Sequence, residues 1–316
     1  MTLSPLSPRV RVATFYELSG ILLANGSIDV ANTCVVCNFP FYESVPQLKN
    51  FIVTDQFKGF IVIGRRGQAK TFHDFLAELG DRERAKQATI EQFRGKSWPI
   101  YRANYDALLS AMLGEARMTL DDVRILNFPD DEKSALAMIG GTGDFYMGGL
   151  PAELNLLQNH GEKFVRIGGV EILGPAGLWY SNIASTEEWL SRNEKTALKL
   201  MAMNYRYNRY IQEKPEAVFP IILKAMNDHS GIQMSSKDLK FVFDNFVGTQ
   251  TYQDDRESTL NPKSDRFWGV SAKYYIKNSK ELPAGADYRK NNPLDEWFAR
   301  FLAQPELSAW VDAPLK

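Results

Sequence analysis

A pattern of helix, glycine stop and short β-like run occurs twice, and it constrains the fold of this chain more than any other feature. In the first passage, residues 16–24 have helical apolar spacing and lead through Asn25-Gly26 to a strand predicted at 27–31. In the second, residues 131–139 lead through Gly140-Gly141 to a strand predicted at 143–147. We therefore predict two similar α/β lobes, although patterns this short also recur by chance.

The order of the other segments predicts how the chain divides between the lobes. An alternating run at 9–14 completes a β-α-β unit with the first helix, which favours parallel strands. A buried-strand run at 60–63, followed by a polar helical stretch from Phe72 to Lys86, and a Gly-Pro break before residue 178 predict two crossovers. We predict a discontinuous first lobe, residues 1–64 plus 178–316, and a second lobe, residues 65–177. Beyond Ser185 the first lobe turns helical, at 187–192, 195–212, 215–226 and 236–246, with caps at Ser185, Ser235 and Ser236.

Charge and hydropathy exclude two broad classes of protein. Lys and Arg number 37 against 38 Asp and Glu, so the chain has no positive excess for a phosphate backbone, and we expect no nucleic-acid partner. The basic and aromatic run at 205–210 is interpreted as core packing with arginines that reach solvent. Since no run approaches the roughly 20 apolar residues that cross a bilayer, we predict no membrane span.

Cysteine and histidine offer no metal or cofactor motif. Cys34 and Cys37 form a single C-x-x-C, which lacks two further zinc ligands, and we interpret both as ordinary buried thiols. The histidines lie far apart in the sequence, and the glycines at 140–143 precede a strand instead of opening a helix. The acidic pairs and triplet at 121–122, 130–132 and 254–255 are interpreted as carboxylates that complement helix dipoles. We predict no cofactor and no bound metal.

Two loops are the best candidates for a binding site. A short strand before Tyr101 leads into a helix that runs to about Leu113, and a helix start can receive a polar or anionic group. Arg102 would add charge, and Tyr101 or Tyr105 would add an aromatic wall. Gly148-Gly149 follows a strand, where open α/β sheets bind ligands and where glycine permits close approach of the backbone.

Several phrases of the sequence resemble the periplasmic solute-binding proteins of the nitrate, sulfonate and taurine type, which include a thiamine-pyrimidine branch. Residues 23–31 (LANGSIDVA) resemble the helix, Gly, Asp, Val, Ala step of that family, and residues 90–96 (IEQFRGK) its entrance to the second lobe. Residues 118–123 (MTLDDV), followed by Ala135-Leu136 and Gly143-Asp144, resemble the next stretch. The likeness extends over about residues 10–245.

The resemblance implies a two-lobed type II periplasmic binding fold that closes over one small solute and delivers it to an ABC permease. The solute-binding residues that it implies, carried over by position, are Thr33, Cys34, Asn38, Tyr101, Arg102, Asn104, Tyr105, Gly148, Gly149, Glu153 and Trp179.

Two departures from the family pattern qualify this expectation. The family begins with a strand, a site-lining loop and a helix before the segment that starts here at Arg9, so one wall of the pocket is expected to be absent or supplied from outside this chain. The family implies a periplasmic or cell-surface location. The first residues, however, show no secretory signal, which leaves a cytoplasmic location open.

The sequence thus predicts a non-enzymatic protein that binds a small polar or anionic organic molecule by hinge closure. Two alternatives stay open. One is an enzyme on the same scaffold, related to thiamine-pyrimidine synthesis, and the other is a ligand-sensing domain that contacts a partner through residues 268–310. The sequence names neither the solute nor the oligomeric state.

Overall fold

The structure is a computed structural model that describes residues 16–229, 233–278 and 288–315. Its strands are β1 Val30–Cys34, β2 Leu48–Phe57, β3 Val62–Arg65, β4 Ser97–Ile100, β5 Arg124–Asn127, β6 Phe145–Tyr146, β7 Phe164–Gly168, β8 Trp179–Thr186 and β9 Val247–Thr249. Its helices are α1 Tyr16–Ala24, α2 Phe72–Leu79, α3 Arg82–Glu91, α4 Arg102–Glu115, α5 Asp131–Ile139, α6 Leu150–Leu154, α7 Val170–Leu173, α8 Glu187–Arg192, α9 Glu194–Glu213, α10 Pro215–His229, α11 Ser236–Asn245, α12 Tyr252–Asp254, α13 Trp268–Asn278, α14 Tyr288–Asn291, α15 Leu294–Leu302 and α16 Pro305–Asp312.

The strands form three sheets. A four-stranded sheet has the order β1-β8-β2-β9, and all its pairs are antiparallel. A three-stranded antiparallel sheet has the order β6-β3-β7, and β4 pairs with β5 in parallel. The first sheet therefore draws on residues 30–57 and 179–249, whereas the other two use residues 62–168. The molecule is a two-lobed α/β fold with a largely helical C-terminal part.

Apolar packing covers both faces of the four-stranded sheet. One cluster fills the space between the central strands and helices α9, α15 and α16, with Phe51, Tyr205 and Phe301 among its most buried members. A larger cluster joins the other face to α4 and α13, and it includes Trp98, Met112 and Trp268. Burial of this kind is the main favourable term in folding, and here it ties the C-terminal helices to the first sheet.

Several predicted elements agree with the structure, and others have different bounds. Helices α1, α5 and α8 have the predicted bounds, whereas the polar stretch 72–86 is two helices, α2 and α3, because Gly80 ends the first in a left-handed conformation (φ +65°). The strand predicted at 27–31 is β1, three residues later. The strand predicted at 9–14, and the parallel pairing that depended on it, lie outside the described residues.

The interpretation of Cys34 as an ordinary buried thiol is wrong. Cys34 ends β1 and is disulfide-bonded, and the sequence contains one other cysteine, Cys37. The backbone enters a 3₁₀ turn, Val36–Phe41, directly after β1. Spacing along the chain does not reveal such a reversal, which is why the sequence alone did not predict the bond.

Candidate functional site

The candidate site lies where strands β4 and β6 end and the chain crosses between sheets. Tyr101 follows β4, and Gly148-Gly149 follow β6, so the carboxyl ends of both strands lead into site loops. Helix α5 brings its first residue, Asp131, to the same place, and the crossover at residues 58–61 passes beside it. Ligands of open parallel sheets bind outside the carboxyl ends of strands, and β4, which belongs to the parallel pair, ends at this junction.

Aromatic side chains form one wall of the junction. The ring centroid of Phe60, on the crossover, lies 6.1 Å from that of Tyr105 and 4.4 Å from that of Trp179. Phe57 adds an edge-on contact with Phe60 at 4.8 Å, and the indole N–H of Trp179 donates to the Tyr275 hydroxyl at 2.6 Å. Phe60 and Tyr105 are buried, whereas Trp179 is half-buried. Two of the predicted residues, Tyr105 and Trp179, thus face one aromatic residue that the sequence analysis did not propose.

Asp131 organises the polar side of the junction. Its Oδ2 accepts hydrogen bonds from the Tyr105 hydroxyl at 2.9 Å and from the backbone N–H of Gly149 at 3.0 Å. Its Oδ1 is buried and has no hydrogen-bond partner. Burial raises the pKa of Asp131 above its ordinary value, while the two hydrogen bonds oppose that shift.

Glu153, on α6, is a second buried carboxyl at the same junction. The side chain is fully buried; its Oε1 accepts from the backbone N–H of Ile61 at 3.4 Å, and its Oε2 has no partner. Burial raises the pKa of Glu153 well above its ordinary range; hydrogen bonds from the backbone N–H groups of Ile61 and Gly148 oppose the shift, and the charge of Asp131 adds to it. Glu153 therefore joins the crossover to the loop that carries the two glycines.

The glycine pair is required by close contacts. A Cβ on Gly149 would lie 2.5 Å from Asp131 Oδ2, and a Cβ on Gly148 would lie 1.9 Å from the Tyr146 hydroxyl oxygen. The Tyr146 hydroxyl itself donates to the backbone carbonyl of Asp131 at 3.3 Å. Only glycine lets this loop approach both side chains, so the reason for the predicted residues Gly148 and Gly149 lies in contacts with Tyr146 and Asp131.

The predicted residues of the first lobe belong to a different, buried network. Thr33 donates to Asn38 Oδ1 at 3.0 Å, and the Asn38 side-chain amide donates to Asn50 Oδ1 at 2.8 Å. Asn50 also accepts from Asn182 at 2.6 Å and donates to Asn292 at 2.5 Å. Their side chains are nearly inaccessible, as is the disulfide-bonded Cys34. A role for Thr33, Cys34 and Asn38 in solute binding stays a prediction.

Three further predicted residues lie at the start of α4. Arg102 is exposed, and its guanidinium pairs with Asp106 at 2.7 Å. Its backbone N–H donates to Asn127 Oδ1 at 3.4 Å, and the N–H of Asn104 donates to the Tyr101 carbonyl at 3.2 Å. Side-chain and backbone acceptors of the chain itself thus occupy these donors.

Sequence reasoning missed Asp131, Phe60 and Tyr146. The acidic triplet at 130–132 was interpreted as a set of dipole-complementing carboxylates, and Asp130 does cap α5 by accepting from the Lys133 N–H at 2.8 Å. A helix has one N-cap, so the adjacent Asp131 was the acid without a capping role. That distinction was the one signal in the sequence for its position at this junction.

Within the described ranges, no group of three or more His, Cys, Asp or Glu side chains is placed to hold a metal ion. Among the helices of those same ranges, none is both long enough and apolar enough to cross a bilayer.

Comparison with known proteins identifies the fold. No protein-family model matches the chain, and no curated protein matches it in sequence. Solved structures do match. The periplasmic sulfonate-binding protein SsuA of a sulfonate ABC transporter from Methylobacillus flagellatus KT is 13% identical, with a TM-score of 0.60 over 93% of this chain and 80% of that one.

Two further structures agree. The periplasmic aliphatic sulphonate binding protein SsuA from Escherichia coli is 13% identical, with a TM-score of 0.61 over 86% of this chain and 77% of that one. The ligand-binding component of an ABC-type import system from Staphylococcus aureus, with zinc bound, is 12% identical, with a TM-score of 0.57 over 88% and 82%. The chain therefore has the two-lobed fold of periplasmic binding proteins.

Proposed function

We propose that this chain is the solute-binding component of an ABC-type uptake system, that it is not an enzyme, and that it belongs with the binding proteins of the nitrate, sulfonate and taurine type. The observation that carries the proposal is the junction of Phe60, Tyr105 and Trp179 with Asp131 and Glu153, which lies where the chain crosses between the sheets. Aromatic side chains beside a few convergent polar groups are typical of the lining of a small-molecule site. The fold shared with import proteins supports the same role.

The two crossovers supply the hinge in this proposal. Residues 58–61 join β2 to β3, and residues 169–178 join β7 to β8, so both connections between the sheet systems are short. Closure over a solute by rotation about such connections is a common form of domain motion. The partners in this scheme are one small polar organic solute and an ABC permease, and the location is periplasmic or at the cell surface.

A thermal-shift panel tests the proposal. The purified chain is heated with sulfonates, nitrate, pyrimidines, amino acids, aromatic acids and amines, each in large excess. A solute that binds only the folded chain adds about 2.7 kcal/mol to the free energy of unfolding at 100 times its dissociation constant, which raises Tm by several degrees. We expect one chemical class to do so.

Gly149→Ala is the matching variant. Its Cβ would press on Asp131 Oδ2, so we expect the ligand-induced rise in Tm to disappear. Gly248→Ala is the control, because a Cβ there meets its neighbours at ordinary distances of 3.5 Å and more, and its ligand response is expected to be unchanged. A panel in which no compound raises the Tm of the unaltered chain contradicts the proposal.

A further inference from the structure

We infer that the solute presents a protonated amine, or another positively charged nitrogen that carries N–H donors, to Asp131 and Glu153. The inference rests on the proposed function and narrows it, because the sequence left polar and anionic solutes open. Three observations carry it. Each carboxyl group has an oxygen without a hydrogen-bond donor, no described ion pair includes either group, and aromatic rings lie beside them.

The first observation is that both carboxyl groups have a buried oxygen without a donor. Asp131 Oδ1 and Glu153 Oε2 are inaccessible to solvent and have no hydrogen-bond partner, and the Glu153 side chain is fully buried. A buried acceptor without a donor is costly, and most native structures satisfy such groups. Two of them at one junction mark a place where an external N–H group would be stabilised.

The second observation is that the neighbouring cations pair with other carboxylates. The charge of Arg166 acts on Glu153, but the Arg166 guanidinium lies 2.7 Å from the Glu171 carboxylate. The Lys133 ammonium pairs with the Asp130 carboxylate at 2.8 Å. Arg102 pairs with Asp106. In the part of the chain that the structure describes, no ion pair includes Asp131 or Glu153. Burial favours the neutral form of both carboxyl groups, a positively charged neighbour would favour their ionisation, and the solute is the group that can supply that charge.

The third observation is the aromatic wall beside these carboxyls. The hydroxyl of Tyr105 bonds to Asp131 while its ring lies 6.1 Å from Phe60, which in turn lies 4.4 Å from Trp179. Aromatic faces attract ammonium groups through the ring quadrupole, and a combination of rings and a carboxylate is a common receptor for amines.

The same geometry disfavours an anion. The Gly149 N–H and the Tyr105 hydroxyl are the donors that a sulfonate or nitrate would use here, and both already donate to Asp131 Oδ2. An anionic solute would have to displace Asp131 as the acceptor of these two hydrogen bonds, and it would lie beside Glu153, a second carboxyl group whose ionisation a negative charge opposes further.

A matched set of probes tests the inference. Benzylamine, benzyl alcohol and phenylmethanesulfonate share one aromatic skeleton and differ in charge, and n-butylamine, n-butanol and n-butanesulfonate repeat the comparison without a ring. Thermal shift and calorimetric titration are run on the unaltered chain, on Asp131→Asn and Glu153→Gln, and on Asp244→Asn, which removes an exposed carboxylate paired with Lys240. We expect the amines alone to raise Tm, and Asp131→Asn to weaken their binding roughly tenfold or more.

Each outcome is decisive. Amine binding that weakens in Asp131→Asn or Glu153→Gln and persists in Asp244→Asn supports the inference; if one of the two site variants fails to fold by circular dichroism, the other carries the test. Sulfonates or alcohols that bind in place of the amines overturn the inference and leave the solute-binding function intact. Amine binding that neither site variant weakens also overturns it. No binding by any probe, together with no response in the wider panel, overturns the proposed function itself.

Discussion

At the scale of single residues, a buried carboxyl group that is not one of the proposed site residues makes stability depend on pH. Asp255 is fully buried, and its Oδ2 accepts from the Tyr205 hydroxyl at 2.7 Å. Burial raises its pKa from 3.8 to about 7. Between these values the unfolded chain releases the proton and the folded chain keeps it, so the free energy of unfolding falls as pH rises, by at most about 1.4 kcal/mol per pH unit from this group.

Asp255→Asn removes the titrating group, and we expect the slope of stability against pH to become smaller between pH 4 and 7. Urea unfolding at four or five pH values measures it. Asp244→Asn, an exposed carboxylate, is the control and is expected to keep the slope of the unaltered chain. Equal slopes in all three proteins would show that Asp255 is not held protonated by the fold.

Single residues also show how much of the site could be predicted from the sequence. Tyr105, Gly149 and Glu153 were proposed from local context and a family resemblance, and the structure brings them together around Asp131. Thr33 and Asn38 were proposed in the same way, yet their side chains bond within a network that runs through Asn50. Its other members, Asn182 and Asn292, lie far away in sequence, so no local sequence pattern predicts the network.

At the scale of elements, the accuracy of the predictions follows the range of the interactions that define each element. Helix α5 has the predicted bounds because its N-cap, Asp130, and the glycine that follows Ile139 are local signals. Strands depend on distant partners. Strand β2 was not predicted at all, although it is the longest strand described, and it pairs with β8 and β9 from much later in the chain.

The break between α2 and α3 supports a prediction at the element scale. Gly80 has φ +65° and its N–H donates to the Leu76 carbonyl at 2.9 Å, which ends α2. A Cβ there meets nothing within 4 Å, so backbone strain is the only cost, and we expect Gly80→Ala to lower the free energy of unfolding by about 1 kcal/mol. Denaturant unfolding measures the difference. Gly248→Ala, which needs no left-handed backbone, is the matched control, and an equal loss in both variants would contradict the assignment.

At the scale of the whole molecule, the two crossovers differ in how they are held. In the first, the Lys58 N–H donates to the carbonyl of Phe246, just before β9, at 2.7 Å, and the Ile61 N–H donates to Glu153 on α6, so its two ends are tied to different parts of the chain. In the second, helix α13 holds the chain, because Tyr275 donates to the Ala176 carbonyl and Ser271 to that of Leu178, both at 2.9 Å. We therefore expect rotation to concentrate at residues 58–61.

Small-angle scattering tests this motion. A compact chain of this length has a radius of gyration of about 20 Å, and closure over a solute should reduce it. The measurement uses the compound that raises Tm most, at saturation, with a non-binding compound of similar size as the control. Because the Ile61 N–H is bonded to Glu153, movement at this crossover should also change the environment of Phe60 and hence the fluorescence of its neighbour Trp179. A bound solute that leaves both the radius and the fluorescence unchanged would mean that the site binds without closure, and that the two lobes form a fixed receptor.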